Sequence, residues 1–262
     1  MTSPFRDDLF AGKVAFVAGG TSGINLGIAA RLAELGARVA ILGRNAEKAQ
    51  AAAEPIGALA LTADVRDYGA TRAAMERVRH ELGPIDIVVS GAAGNFLAPA
   101  LGMSANAFKA VIDIDLIGTF NVFRGCHDLL NLPGASLIAI TAGQAVNAMA
   151  LQAPACAAKA GINQLVRVLA IEWGPEVRVN GISPGPIAGT EGMARLAPDA
   201  STKDKHFARI PAKRWGEIGE IAEAAVWLCS DAARYVTGAI IDVDGGSSVG
   251  DASRMDLMKG LA

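Results

Sequence analysis

Residues 13–36 constrain this chain more than any other stretch. KVAFVA is a short apolar run rich in valine, GGTSG interrupts it, and residues 24–35 carry apolar side chains at helical spacing. The segment therefore reads as strand, tight loop and helix. A glycine loop that opens a helix brings backbone N–H groups and the positive end of the helix dipole onto one point, which suits a pyrophosphate. The same loop could also serve only to pack a helix on a strand, so the rest of the chain has to choose between the two readings.

Further along, apolar runs alternate with helical segments. ARVAIL (37–42), ALALTADV (58–65), IDIVVSGAAG (85–94), SLIAIT (136–141), VRVNGIS (177–183) and AIIDVDG (239–245) read as strands, with helices expected over 48–54, 67–83, 105–130, 152–173 and 217–230. Strands that are apolar almost throughout and separated by helices imply a parallel sheet covered on both faces. The expected fold is α/β, a Rossmann-type doubly wound parallel sheet of about seven strands. With 262 residues, 52% of them hydrophobic, one domain spanning 1–262 can bury a large core. The polar stretch 191–214, carrying Lys203, Lys205, Arg209, Lys213 and Arg214, reads as an insertion covering the substrate; its cations could meet ligand phosphates or simply line a solvated helix.

Charge and cysteine usage narrow the class. The formal net charge is -2 with no long run of one sign, so neither nucleic acid nor a membrane is an expected partner. Cys126, Cys156 and Cys229 are odd in number and widely spaced, which argues against a disulfide framework and a metal cluster and fits a reducing compartment. No apolar stretch reaches the roughly 18 residues of a membrane span, and the first residues carry no signal-peptide core. A cytoplasmic protein is expected.

The second strand ends at Gly43-Arg44. At that place in a dinucleotide fold an acidic residue binds the adenosine ribose, whereas an Arg accommodates a 2′-phosphate. Lys48, about one helical turn on, could join Arg44, so the expected cofactor is NADPH/NADP rather than NADH.

The glycine spacing, Gly19, Gly23 and Gly27, is not the GxGxxG fingerprint. It resembles the TGxxxGxG loop of the short-chain dehydrogenase/reductase family, with Ala18 for the Thr and Asn25 for the last Gly. Asn tolerates left-handed backbone, so the turn is expected to survive, with the Asn25 side chain adding bulk beside the cofactor. Where that family usually shows NNAG, this chain has Gly91-Ala92-Ala93-Gly94: the small residues are kept and the asparagine side chains are gone. The family's carbonyl chemistry uses a YxxxK motif, yet the only tyrosines are Tyr68 and Tyr235, followed four residues on by Arg72 and Ala239. Lys159 matches the motif lysine by context, Ala155 stands at the tyrosine position, Ala142 at the usual serine, and Asp115 where a helix asparagine is usual.

These departures resemble one group within the family. GAAGNFLAPA, the DID of AVIDIDLIGTFNV, AIEWGP and PGPIAGTEG together look like the peroxisomal type of 2,4-dienoyl-CoA reductase, which also lacks the tyrosine and has Asp in the helix. The resemblance implies hydride addition to C5 of a 2,4-dienoyl thioester and protonation at C2, giving a 3-enoyl-CoA. Such chemistry needs charge stabilisation and a proton source aimed at carbon rather than a hydroxyl acid at a carbonyl. It assigns catalysis to a water held by Asp115 and Lys159, expected to act as one coupled unit because a carboxylate in an apolar helix needs a partner. The resemblance also implies cofactor contacts from Gly19, Thr21, Ser22, Gly23, Ile24, Asp64, Val65, Ala92, Lys159, Pro184, Gly185, Ile187 and Thr190. It places the acyl-CoA substrate on Arg66, Phe96, Ser104, Asn106 and Arg195, and it implies a homo-oligomer, commonly a tetramer. Two alternatives stay open: a reductase for another enone or carbonyl, and a nucleotide-binding protein without catalysis.

Overall fold

The computed structural model describes residues 4–196, 200–253 and 255. The expected strands all form: β1 (Val14–Ala18), β2 (Arg38–Gly43), β3 (Leu59–Thr62), β4 (Ile87–Ser90), β5 (Ala135–Ile140), β6 (Val177–Pro184) and β7 (Ile240–Val243). They join in one 7-stranded sheet in the order β3-β2-β1-β4-β5-β6-β7. Every pairing is parallel. Parallel neighbours need crossover connections, and the helices supply them: α1 (Gly23–Glu34), α2 (Ala46–Ala53), α3 (Tyr68–Glu81), α4 (Ala105–Ile112), α5 (Gly118–Cys126), α6 (Ala153–Trp173), α7 (Glu191–Leu196), α8 (Ala200–Arg209) and α9 (Ile218–Cys229).

Both faces of the sheet are buried, and β1 shows how. Its side chains alternate, so Val14, Phe16 and Ala18 join one apolar cluster while Ala15 and Val17 join the other. The first cluster packs α3, α5 and α6 through Met75, Phe123 and Ile162. The second packs α1 and α9 through Ile28, Leu32, Ile221 and Val226. At Gly27 a Cβ would come within 2.1 Å of Ile218 Cγ2, so that glycine sets how closely α1 approaches α9.

Local signals place the helix starts. Asn45, Asp67 and Ser104 each accept a backbone N–H from the first turn of α2, α3 and α4. Glu217 and Glu220 form a reciprocal capping box at α9.

Two expectations need correction. The helix expected over 105–130 forms but is not α-helical throughout: a 3₁₀ turn, His127–Leu129, ends it, and α4 and α5 are joined by a π turn, Asp113–Ile117. Its extra residue rotates Asp115 off the regular helical face, and such turns occur often at functional sites. The third strand is shorter than 58–65, ending at Thr62 because β2 pairs with it only as far as Gly43↔Thr62. Asp64 and Val65 thus lie in the loop beyond the sheet.

At the opposite, N-terminal edge of the sheet, buried Asp86 accepts hydrogen bonds from Lys13 Nζ at 2.9 Å, Val14 N at 2.9 Å and Asn131 Nδ2 at 2.8 Å. It ties the entry to β1 to the segment leading into β5, far from the C-terminal strand ends. Asp86→Ala should lower unfolding free energy in urea by about 2–3 kcal/mol, since charged hydrogen bonds are lost and buried donors are orphaned. Ligand binding at the other end of the sheet should be unchanged at temperatures where the variant is folded.

Candidate active site

The strand order reverses between β1 and β4, so their following loops separate on opposite sides and leave a crevice at their C-terminal ends. Both loops are glycine-rich. Gly19 has φ +77° and a Cβ there would meet Ala92 N at 2.7 Å, so the first loop can lie against the second only without a side chain. Gly23, with φ +57°, opens α1. The crevice encloses about 290 Å³ and is lined by Gly19, Thr21, Ser22, Arg44, Asp64 and Ala92, among others.

Asn25 corrects an expectation. The left-handed positions are Gly19 and Gly23; Asn25 is a residue of α1, only 9% exposed. Its side chain turns toward the second loop and donates from Nδ2 to Gly91 O at 2.8 Å.

On the far side, Thr21 packs on Gly43, where a Cβ would meet Thr21 Cγ2 at 2.4 Å. Arg44 and Lys48 both line the crevice, Lys48 from the first turn of α2, with its ammonium 3.9 Å from Glu191 Oε1. Asp64 lines it too, but its carboxylate is gripped by the Arg66 guanidinium, with Nη2 2.6 Å from Oδ2. That hydrogen bond holds the Asp64 carboxyl below its ordinary value, against a smaller opposing effect of burial. Val65 is held by Asn121, whose Nδ2 donates to Val65 O at 2.8 Å.

Deeper in, the π turn and α6 bring two charges together. Lys159 Nζ lies 3.2 Å from Asp115 Oδ2, with the two side chains 11% and 2% exposed. Asp115 Oδ1 accepts the Gly94 N–H at 2.8 Å, and Lys159 Nζ also donates to Ile140 O at 3.1 Å, at the end of β5. A buried pair of this kind persists because its remaining donors and acceptors are satisfied. Ala155, 4% exposed, precedes Lys159 by one helical turn, and Ala142 follows β5. The adjacent Thr141 hydroxyl is spent on Asn163 Oδ1 at 2.7 Å. Neither tyrosine replaces the missing one: Tyr68 lines a separate cleft with Arg72, Arg124 and Trp173, and Tyr235 is fully exposed after α9.

The remaining positions fall into two groups. Pro184 ends β6; Gly185 lies against Asp244, whose Cα a Cβ at 185 would meet at 2.5 Å. Ile187 is 2% exposed, so its side chain belongs to the core and only its backbone can serve a ligand. Thr190 Oγ1 donates to Ile187 O at 2.8 Å, and its methyl Cγ2 lies beside Gly23, 4.0 Å from a Cβ there. Ile24 packs partly into the core, while Ser22 stays exposed just before α1. Of the positions expected to meet the acyl-CoA, Phe96 is 39% exposed in the loop after β4, Ser104 caps α4, Asn106 is exposed on α4, and the side chain of Arg195 lies outside the described residues.

Three polar residues were not expected. Asn121 steadies the Val65 loop, and Asn95 Nδ2 donates to Gln152 Oε1 at 2.8 Å, linking the loop after β4 to the start of α6. Polar residues in otherwise apolar segments were the only available signal, and their partners are 56 and 57 residues away.

The arrangement of glycine loop, crevice at the switch point and buried lysine on α6 can be set beside known proteins. A family model described as enoyl-(acyl carrier protein) reductase matches residues 18–248. The chain belongs to the short-chain dehydrogenase/reductase family. Among family members, a peroxisomal 2,4-dienoyl-CoA reductase of Rattus norvegicus is 43% identical over 93% of this chain and 86% of its own length. One from Saccharomyces cerevisiae is 41% identical over 92% and 86%. A solved structure of a gluconate 5-dehydrogenase from Burkholderia cenocepacia, in complex with NADP and tartrate, superposes with a TM-score of 0.84 at 30% identity, covering 92% of this chain and 98% of the other.

For this short-chain dehydrogenase/reductase the pair makes a stability prediction. Lys159→Met leaves Asp115 buried without its cation and should destabilise the ligand-free protein by about 3–5 kcal/mol in denaturant titration, whereas Asp115→Asn/Lys159→Met should recover most of the loss.

Proposed function

We propose that this chain reduces 2,4-dienoyl-CoA thioesters to 3-enoyl-CoA with NADPH, an auxiliary step in breaking down unsaturated fatty acids. The single observation that carries the reading is the buried Asp115–Lys159 pair, tied through Gly94 to the loop whose residues 91–93 line the crevice, with methyl groups, at 142 and 155, where carbonyl reduction would want hydroxyls. Relatives named as 2,4-dienoyl-CoA reductases at 43% and 41% identity support the substrate class.

The residues fit a nicotinamide dinucleotide. Gly19 and Gly23 keep side chains out of the space before α1, whose N-terminal N–H groups suit a pyrophosphate. Arg44 and Lys48 flank the position for a 2′-phosphate, and the NADP of the gluconate 5-dehydrogenase supports that choice. Bound there, the reduced cofactor supplies the hydride. Lys159 directs two N–H groups to Asp115 Oδ2 and Ile140 O, which leaves its third for the ribose or a water. Asp115 keeps that ammonium oriented and, through Gly94, fixes the loop that borders the substrate. Negative charge developing on the thioester oxygen is stabilised by this fixed cation, and the proton reaches C2 from water held by the pair. α7 and α8 cover the substrate as an insertion within a single domain, Arg66 turns from Asp64 to a CoA phosphate, and Phe96 borders the acyl chain.

Assembly as a homo-oligomer, a tetramer by family resemblance, would cover Phe108, Ile117, Phe120, Val168 and Ile171, which are exposed along α4 to α6. The relatives' names place them in peroxisomes; for this chain a reducing cytoplasm is the proposed location, with its three cysteines unpaired. Among the described residues no helix is long and apolar enough to cross a membrane.

The direct test follows NADPH absorbance after adding a 2,4-dienoyl-CoA. Wild type should consume NADPH, and Asp115→Asn should lower kcat by about a hundredfold, the scale of lost proton transfer; unimpaired turnover would refute the assigned role. A panel in which ketones react and dienoyl thioesters do not would favour carbonyl reduction instead. For the cofactor, Arg44→Ala/Lys48→Ala should raise the KM for NADPH about 10- to 100-fold, the range for charged hydrogen bonds, with little change for NADH.

A further inference from the structure

Asn25 and Gly91 fit each other as one unit. A Cβ on Gly91 would lie 2.1 Å from Asn25 Oδ1 and 2.5 Å from both Cγ and Nδ2, so the Asn25 amide already fills the space of any side chain at 91. Nδ2 donates to Gly91 O at 2.8 Å, while Oδ1 is buried with no hydrogen-bond partner. Leaving a buried carbonyl oxygen unsatisfied is costly, and an apolar residue would fill the volume without that cost. What an apolar residue cannot supply is the donor to Gly91 O. Three residues further along the same loop, the Gly94 N–H goes to Asp115 Oδ1 at 2.8 Å. The first part of this loop is therefore pinned at Gly91 to the first turn of α1 and at Gly94 to the Asp115 carboxylate. Between them Ala92 lies against Gly19. Residues 91–94 carry no amide side chain of their own, and the amide that reaches Gly91 O comes from the helix.

We infer that Asn25 is a positioning residue, which locks the loop after β4 to the N-terminal turn of α1 in place of an amide that the loop itself lacks. Nucleotide-facing backbone and the Asp115 carboxylate are thereby held in one register. The inference rests on the reading of the crevice as a dinucleotide site.

The test exchanges the two positions and reads NADPH binding by calorimetry and amide hydrogen exchange over residues 91–94 in ligand-free protein. Asn25→Gly should weaken NADPH binding about five- to tenfold, the factor expected from one hydrogen bond. It should raise the KM for NADPH more than it lowers kcat, and it should speed exchange over 91–94 more than along α1. Gly91→Asn alone collides with Asn25 and should bind NADPH worse still. The reciprocal Asn25→Gly/Gly91→Asn variant should return to within about threefold of wild-type affinity, because the pair is coupled. Wild-type affinity and exchange in Asn25→Gly would overturn the inference, as would a double variant as weak as the two single effects combined. Failure of the wild-type protein to bind NADPH would overturn the dinucleotide reading instead, and exchange over 91–94 would then decide the tether by itself.

Discussion

The ligand end of this protein depends on two strand exits meeting without side chains between them. β1 and β4 are neighbours whose connecting helices leave in opposite directions, so no helix fills the gap at their C-terminal ends. The backbone after β1 closes against the backbone after β4 at Gly19 and Ala92, at a separation that a Cβ would prevent. That contact sets where α1 begins, and hence where its unpaired N–H groups point. Arg44 and Lys48 on one side and the loop over residues 91–94 on the other take their places around this point.

A second constraint is the charge buried behind the crevice. A carboxylate inside an apolar helix is tolerable only with partners, and the π turn at Asp113–Ile117 delivers Asp115 to two of them, Gly94 N and Lys159 Nζ. Lys159 is anchored in turn by the carbonyl that ends β5. Three elements of the fold therefore agree on the position of one ammonium. Preorganised charge of this kind stabilises negative charge as it develops and needs no hydroxyl acid beside it.

Other cations named above are already engaged within the chain. Arg66 grips Asp64, Arg209 meets Asp251, Arg214 pairs with Glu220, and Lys203 lies over Trp215. Arg214, with the capping bond from Glu217 N, holds the Glu220 carboxyl down at about 2. The basic stretch, expected either to meet ligand phosphates or to line a solvated helix, mostly staples the segment around α8 to its surroundings, so a phosphate arriving here has to compete with these internal partners.

Periodicity alone carried the seven strands, the parallel sheet and the glycine loop, because buried strands and amphipathic helices write their burial into local spacing. Asp115 and Lys159 were legible only through the resemblance to the short-chain dehydrogenase/reductase family, as the residues standing at its helix-asparagine and motif-lysine positions. Tertiary structure alone decided the rest. The π turn inside the helix over 105–130 could not be told from DIDLIG, which is compatible with a regular α-helix; the Gly94 N–H and Lys159 ammonium that meet Asp115 come from elsewhere in the chain. Asn25 reads as a misplaced turn residue until Gly91, 66 positions away, is seen to make room for its amide. Local spacing reports which face of an element is buried, but it cannot say which distant backbone or side chain will lie against that face.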